Sequence, residues 1–418
     1  MSAYAKYKLF LYVLLTAGII SLFGFTFYVF SSRVPDKIVL KEGNESVIDL
    51  KLPFTGEINS KSVNGDYVSS VNFNYPVSIA TGEPASYDIR LKLFGFIHYK
   101  DITLNVVEQR YLYAGGLPVG VYLKSDGVLV IDNARFTTLD GKNVSPCENI
   151  IKKGDYICSV NGTPVNTKIE LIERVTNCAG QDLIISIKRG NSTFDVKVTP
   201  LPDTLGDYKI GVWIRDDTQG IGTLTFIDEN GNFGALGHGI SDIDTGEIFN
   251  VHDGILYRAS ILTIVRGQAG TPGEYVGTID YSSKNQLGVI NKNSSCGVFG
   301  VVNNSVGLVN QLKKYEIGYK YDVKEGRAYI ISGTDENVKL YEIRIDALDY
   351  NTGNINKGIE FTVTDEKLLS LTNGIIQGMS GSPIIQDNKI VGAVTHVFVN
   401  DSTRGYGIFI ENMLDEIH

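Results

Sequence analysis

The sequence predicts a mainly β protein of several domains that is attached to a membrane by one N-terminal helix. The chain has 418 residues, more than one hydrophobic core usually holds. Its 45 glycines, 11 prolines, 23 tyrosines and 18 phenylalanines favour short strands separated by turns. An uncharged, strongly apolar stretch covers residues 9–30. We therefore expect four segments, which are residues 1–32, 33–107, 108–200 and 201–418.

The apolar stretch is long enough to cross a bilayer, because about 22 residues at ~1.5 Å each span roughly 33 Å. Lys6 and Lys8 precede it and favour a cytoplasmic N-terminus, so the chain after Arg33 should lie outside the cytoplasm. The alternative is a signal peptide cleaved at Val29-Phe30-Ser31, although the stretch exceeds the ~7–15 apolar residues usual in such signals. A membrane anchor is the prediction.

Residues 33–107 alternate between apolar and polar side chains, as in Lys37-Ile38-Val39-Leu40, and turn signals separate the alternating runs. They carry no recognisable chemistry, so we expect a small β-domain that spaces the rest of the chain from the membrane.

Charge and cysteine usage exclude several function classes. The formal charge is −9 and no Lys/Arg block stands out, which argues against nucleic acid as a partner. The cysteines at 147, 158, 178 and 296 lack CxxC spacing, so the sequence predicts neither a zinc site nor a disulfide framework. No metal and no cofactor are expected.

Residues 108–200 resemble a PDZ domain. A glycine-rich loop runs into an apolar strand, Lys153-Gly154-Asp155 precedes a strand closed by Val160-Asn161-Gly162, and Ile169, Ile172 and Val175 have helical spacing. The resemblance implies that the loop binds a peptide C-terminus and that the peptide adds as a strand along residues 120–123. The expected peptide-binding residues are Gly116, Leu117, Pro118, Val119, Gly120 and Val121.

Residues 201–418 contain many short strands, which predicts a sandwich or a pair of barrels. The run Gly378-Met379-Ser380-Gly381-Ser382-Pro383 predicts a tight turn in which the N–H groups of Gly378 and Ser380 form an oxyanion hole. Gly-x-Ser-Gly-x-Pro resembles the nucleophile motif of chymotrypsin-like proteases. That resemblance favours Ser380 over Ser382 as the nucleophile and implies a double β-barrel.

A serine nucleophile needs a histidine as general base. No His-Glu-x-x-His motif supports zinc-protease chemistry. His238 is the preferred base because flanking glycines leave its imidazole accessible. His396 follows the nucleophile closely and is the rival. The other three histidines are less favoured. His252 precedes a turn and is expected to be solvated, His98 lies in the spacer segment, and His418 is terminal.

The carboxylate that would orient the base is open between Asp242, Asp244 and Asp365. Asp242 lies close enough to His238 in sequence to cap local backbone instead. Asp365 lies where an alternating strand gives way to a helix, so it fits a helix N-cap equally well.

The order of anchor, PDZ-like segment and the two motifs at 234–242 and 377–386 resembles the SpoIVB peptidase family of endospore-forming bacteria (stage IV sporulation protein B). Residues 220–226 and 392–401 support the resemblance, which is weakest over 36–107. It implies a triad of His238, Asp365 and Ser380. One departure is Gly239, where the family often carries a larger apolar residue.

The resemblance implies a signalling serine endopeptidase of the space between the two membranes around the forespore. Such a protein cleaves itself and then a membrane-protein regulator of an intramembrane metalloprotease, which activates a late sigma factor. The PDZ domain would govern self-cleavage and docking. Two alternatives remain, which are a non-catalytic PDZ adaptor with a degenerate protease-like domain and a quality-control protease. The latter usually has its PDZ domain after the catalytic domain.

Overall fold

A computed structural model describes the chain except residues 1–2, 44, 49–52, 63–64, 76, 81–82, 269, 304, 334–337, 351–352 and 418. The helices are α1 Ala3–Arg33, α2 Lys168–Thr176, α3 Ser305–Val309, α4 Glu366–Thr372 and α5 Ile410–Leu414. The strands are β1 Lys37–Lys41, β2 Glu45–Ile48, β3 Phe54–Ser62, β4 Gly65–Asn72, β5 Val77–Ala80, β6 Ala85–Leu93, β7 Ile97–Val107, β8 Tyr111–Ala114, β9 Pro118–Asn133, β10 Phe136–Thr137, β11 Asn143–Val144, β12 Tyr156–Val160, β13 Thr163–Pro164, β14 Leu183–Arg189, β15 Ser192–Val198, β16 Leu201–Pro202, β17 Tyr208–Lys209, β18 Val212–Ile227, β19 Asn232–Ala235, β20 Val251–Val265, β21 Glu274–Ile279, β22 Gln286–Ser294, β23 Gly297–Val302, β24 Lys313–Ile317, β25 Gly326–Ser332, β26 Lys339–Leu348, β27 Ile359–Val363, β28 Pro383–Gln386, β29 Lys389–Phe398 and β30 Asp401–Phe409.

Helix α1 contains the one stretch of the described chain that is long and apolar enough to cross a membrane, Tyr7–Tyr28. None of that stretch is buried against the rest of the protein, and its apolar residues surround the helix on all sides. A helix that is hydrophobic all round needs an apolar environment, so α1 suggests a membrane anchor.

The segment after the anchor is a five-stranded sheet with the order β1-β7-β6-β3-β4. Strand β1 leaves the end of α1 and runs parallel to β7, with Lys37 opposite Thr103. Phe54, Phe73 and Ile89 lie in its core, completely buried. The strand expected around residues 37–40 is present as β1.

A PDZ-like module follows, built from the second half of β9, strands β12 to β15 and helix α2. Thr167 caps α2 by accepting the N–H of Glu170, whose side chain in turn bonds the Thr167 N–H, a capping box. The module has its own core, which includes Val128, Ile157 and Leu171. The helix expected around Ile169, Ile172 and Val175 is therefore present, although Ile169 and Ile172 are exposed and Leu171 takes the buried place.

The expected module boundary at residue 108 is wrong. Strand β8 and the first half of β9 belong to the protease-like sheet, where β9 pairs with β18 and β20. Val119 and Val121 pack with Leu224 and Leu256 in that sheet's core. The PDZ-like module therefore begins after residue 125, in the middle of β9.

The peptide-binding assignment to Gly116, Leu117, Pro118, Val119, Gly120 and Val121 is also wrong in its location. Tyr122 pairs with Gln219 of β18 on one side and with Ile255 of β20 on the other. A peptide can add to a sheet only at a free strand edge, and this stretch of β9 has none.

The rest of the chain, from β18 onward, encloses three neighbouring cores. One lies inside β18 to β23 around Phe233, and another inside β25 to β30 around Phe361. A third core, which contains Phe226 and Ile390, packs between them. The prediction of a mainly β fold with an N-terminal apolar helix and a PDZ-like module is confirmed. Strands β8, β9, β12 to β15 and β18 to β30 form one continuous hydrogen-bonded network, and the double β-barrel is not confirmed in detail.

Candidate active site

The turn that carries Ser380 depends on two glycines. Gly378 has φ +97° and Gly381 has φ +96°, values that side chains with a Cβ rarely adopt. A Cβ on Gly378 would lie 2.5 Å from the Tyr275 ring, and one on Gly381 would lie 2.2 Å from the Thr223 carbonyl oxygen. The turn can therefore form only with glycine at these positions, as the sequence suggests.

Thr223 of β18 donates two hydrogen bonds to this turn. Its N–H donates to the Ser380 carbonyl at 3.0 Å, and its hydroxyl donates to the Gly378 carbonyl at 2.7 Å. Within the described part of the chain, the N–H groups of Gly378 and Ser380 donate to no protein acceptor. Two nearby backbone donors in a fixed turn are thus free to bind an oxygen atom of a ligand.

The two serines of the turn have different environments. Ser380 is partly exposed, and its hydroxyl donates to the Thr395 carbonyl at 2.8 Å. Ser382 is completely buried, and its hydroxyl has no hydrogen-bond partner among the described residues. A nucleophile must reach its substrate, so burial makes Ser382 unsuitable.

His238 follows a pair of residues with left-handed backbone, Leu236 at φ +71° and Gly237 at φ +69°. Such a conformation is strained for leucine, and strain of this kind concentrates at functional sites. The half-buried imidazole bonds the Gly239 carbonyl oxygen through Nδ1 at 2.9 Å. A carbonyl oxygen can only accept, so Nδ1 carries the proton and Nε2 keeps its lone pair.

Burial lowers the pKa of His238 below the ordinary histidine value of 6.5, and the bond to Gly239 opposes this shift. The imidazole is therefore neutral near pH 7, the form that a general base requires.

His396, the expected rival, lies beside His238. The two ring centroids are 5.0 Å apart, with the rings tilted by 37°. Desolvation, followed by the charges of His238 and Lys357, lowers the pKa of His396 to about 4, although the residue as a whole is exposed to solvent. His396 directly follows Thr395, whose carbonyl holds the Ser380 hydroxyl. The structure thus brings Ser380, His238 and His396 to one region, and among the described residues Ser380 forms no hydrogen bond to either imidazole.

None of the three candidate carboxylates bonds the His238 ring in the described structure. Asp242 is buried, forms an ion pair with Arg215 and accepts the N–H groups of Asp244 and Thr245. Asp244 pairs with the same arginine at 2.8 Å. Both carboxylates therefore stabilise the loop that follows His238.

Asp365 is the N-cap of α4. Its Oδ1 accepts the N–H groups of Lys367 and Leu368, both at 3.0 Å. His396 of β29 pairs with Tyr406 of β30, which in turn pairs with Glu360 of β27. Asp365 follows Glu360 in the chain, so it lies on the order of 15 Å from His396 along the strand direction. In this structure the Gly239 carbonyl, rather than Asp365, occupies the Nδ1 side of the imidazole.

The two other histidines that the structure describes lie elsewhere. His98 is on the N-terminal sheet, 3.0 Å from Asp101, and His252 is exposed on β20. His418 lies outside the described residues.

The chain matches a known peptidase family over the region that contains this site. The sequence profile described as "SpoIVB peptidase S55" matches residues 206–414. The chain belongs to the SpoIVB peptidase S55 family. It is thus a serine peptidase of the SpoIVB type, as the sequence resemblance implied, and both histidines and both serines discussed above lie inside the matched region.

Among solved structures, the crystal structure of the PDZ domain of an SdrC-like protein from Listeria monocytogenes is similar to part of this SpoIVB-type peptidase. The two are 22% identical, the match covers 21% of this chain and 87% of that one, and the TM-score is 0.18. At this TM-score the likeness supports no conclusion about the fold.

A second candidate site lies in the PDZ-like module. A groove of about 740 Å³ separates α2 from the start of β18, lined by Leu171, Ile172, Val175, Phe136 and Trp213 among others. Residues 212–215 of β18 pair with β9 on one side, and on the other side the strand faces α2.

The end of this groove carries free backbone donors. The N–H groups of Ile210 and Gly211 have no acceptor within the described chain, and Gly211 has φ +78°. The sequence did not single out this strand, because residues 115–121 show a similar change from glycine to apolar strand, which predicts the peptide-binding strand there instead. The missed signal was Lys209-Ile210-Gly211-Val212 directly before an alternating strand.

Proposed function

We propose that this peptidase is a membrane-anchored, self-cleaving serine endopeptidase that uses Ser380 as nucleophile and His238 as general base. The observation that supports this most strongly is the pair of unbonded N–H groups on Gly378 and Ser380, next to a partly exposed serine hydroxyl. Such a pair is what a developing oxyanion requires. Helix α1 supports anchoring of the chain in a membrane.

In the proposed mechanism the Ser380 hydroxyl first rotates away from the Thr395 carbonyl. His238 Nε2 then accepts the hydroxyl proton while Oγ attacks the scissile carbonyl carbon, and the N–H groups of Gly378 and Ser380 stabilise the oxyanion. The imidazolium donates its proton to the leaving amine as the peptide bond breaks. Water, deprotonated by the same imidazole, releases the acyl group from Ser380.

The Gly239 carbonyl would fix the His238 tautomer and accept from the imidazolium in this mechanism. Asp365, the triad member implied by the family, would have to leave its position at α4 to reach the ring. Its catalytic role stays a prediction.

The family also supports a proposal about the substrate. The peptidase would act in the space between the membranes around the forespore, on itself and on a membrane-protein regulator of an intramembrane metalloprotease, and so activate a late sporulation sigma factor. The groove between α2 and β18 would dock the C-terminal segment of such a peptide or protein by strand addition.

The test is self-cleavage of the purified full chain. Wild type should yield shorter fragments, and Ser380→Ala should yield none. Ser382→Ala is the matched control, because it removes a buried, unpartnered hydroxyl from the same turn and should leave cleavage intact. Self-cleavage of Ser380→Ala at the wild-type rate would overturn the proposal.

The bond from the Ser380 hydroxyl to the Thr395 carbonyl favours a second candidate, a non-catalytic adaptor. A fluorophosphonate probe separates the two, because it labels only an activated serine. Labelling of wild type and Ser382→Ala, but not of Ser380→Ala or His238→Ala, supports the enzyme. No labelling of wild type supports the adaptor.

A further inference from the structure

One end of the N-terminal sheet presents large apolar side chains to solvent. Phe94 and Phe96, in the turn between β6 and β7, are exposed by 65% and 75%. Ile97, the first residue of β7, is exposed by 48%, and Tyr75, which follows β4, by 71%. We call these four residues the apolar tip. Both turns lie at the same end of the sheet, because Leu93 and Asn72 are each in register with the start of β3.

The apolar tip lies on the side of the sheet where the anchor helix arrives. Strand β1 begins shortly after α1 and runs parallel to β7, with Lys37 opposite Thr103, so the first residues of β7 extend back past the start of β1. Tyr99, near that start, contacts Phe27 of α1 with ring centroids 6.5 Å apart. Phe27 lies within the apolar stretch Tyr7–Tyr28.

The distances put the apolar tip at membrane depth. Ile97 precedes Tyr99 on β7 by about 7 Å at ~3.3 Å per residue, and Phe96 lies beyond it in the turn. The tip is thus on the order of 10 Å deeper along the helix than the Tyr99–Phe27 contact. Interfacial segments bury their apolar face by about 5–10 Å at the headgroup boundary.

The distribution of charge agrees with this placement. The turn sequence Phe94-Gly95-Phe96-Ile97 has no charge. Directly beyond the turn, His98 lies 3.0 Å from Asp101, Lys92 pairs with Glu57 at 2.6 Å, and Lys100 pairs with Asp36 at 2.6 Å. Aromatic side chains next to a charged belt are typical of a membrane–water interface.

We propose that the apolar tip inserts into the lipid bilayer beside α1, as a second membrane contact that fixes the orientation of the sheet relative to the membrane. This proposal rests on the proposed anchoring by α1. A bilayer is the occupant that the geometry favours over a protein partner, because the tip extends alongside a helix that itself requires lipid.

The experiment uses the full chain in vesicles of phosphatidylethanolamine and phosphatidylglycerol. Trp213 is the single tryptophan, so Trp213→Phe gives a silent background. Phe96→Trp then reports on the tip, and Ile243→Trp is the control, because Ile243 is 89% exposed in the protease-like region. Brominated phospholipids should quench Phe96→Trp and leave Ile243→Trp unaffected, whereas aqueous iodide should do the reverse.

Two results would overturn the proposal. Emission of Phe96→Trp that iodide quenches as fully as that of Ile243→Trp would place the tip in water. Emission that neither bromolipid nor iodide quenches would show that protein covers it. Alkaline extraction of the same vesicles separates the tip from the anchor. If alkali extracts the chain from the vesicles, both the anchoring by α1 and the insertion of the apolar tip are refuted. If the chain stays in the vesicles while the tryptophan of Phe96→Trp is exposed to water, only the insertion of the apolar tip is refuted.

Discussion

Replacing Asp365 tests how the end of β27 and the start of α4 are held. Its Oδ1 accepts the N–H groups of Lys367 and Leu368 at 3.0 Å, and its Oδ2 accepts the N–H of Glu342 at 3.3 Å. Asp365→Ala removes all three bonds. Loss of an N-cap costs about 1 kcal/mol, within a range of about 0.5–2 kcal/mol. Because the bond from the Glu342 N–H is lost as well, we expect the free energy of local opening of α4 to be about 1–2 kcal/mol lower than in the wild type.

Hydrogen exchange of the α4 amides measures this free energy. A change of about 1–2 kcal/mol corresponds to roughly 5–30-fold faster exchange. Asp365→Ser is the matched control, since its hydroxyl oxygen can still cap the helix and should retain most of the protection. Equal exchange in wild type and Asp365→Ala would refute the assignment of Asp365 as the cap.

Self-cleavage by the same variants separates the cap from the triad. A cap alone predicts that Asp365→Ser still cleaves itself. Loss of a triad carboxylate lowers kcat on the order of 10⁴-fold. A loss of that size in Asp365→Ser, with the protection of α4 retained, would show that the carboxylate reaches His238 in the working enzyme.

Two further predictions concern the base and the groove. Self-cleavage should fall to half its plateau rate at a pH below 6.5, because burial keeps the pKa of His238 under 6.5 and only the neutral imidazole accepts a proton; a pH–rate profile with its midpoint above 6.5 would contradict this base. Ile172→Asp should weaken binding of a fluorescein-labelled peptide with a C-terminal valine about tenfold or more, measured by anisotropy, because it puts a charge into the apolar groove. Ile169→Asp, on the same helix but outside the groove lining, should bind the peptide as wild type does, and equal weakening by both variants would remove the groove from consideration.

The features that the sequence predicted correctly are encoded locally. The membrane-length helix follows from hydropathy alone, and the serine turn follows from glycines whose backbone angles few other residues adopt. The spacing of Ile169, Ile172 and Val175 predicts the helix at Lys168–Thr176, and the structure adds a capping box of Thr167 and Glu170, which is local as well.

The features that were missed depend on contacts between distant segments. Residues 115–121 and 209–214 look alike in sequence, since each has glycine before an apolar strand. Only the pairing shows that the first strand lies between two neighbours and that the second faces a groove. Asp365 illustrates the same limit, because strand followed by helix fits a cap and a triad residue equally well until the hydrogen bonds are known.

The site where the PDZ-like module joins the protease-like sheet has a consequence for protein engineering. Strand β9 enters the module and β18 returns from it, and Lys124 and Asp217 are paired across the two strands at that point. Paired residues have Cα atoms about 4.5–5.5 Å apart, a gap that a two-residue Asn-Gly turn closes. Residues 125–216 are thus a cassette whose two ends meet. The cassette can be exchanged without rerouting the chain that carries Ser380. Its removal also takes away the Tyr156 hydroxyl that accepts the Asn250 N–H, and Arg215, which pairs with Asp242 and Asp244 in the loop after His238.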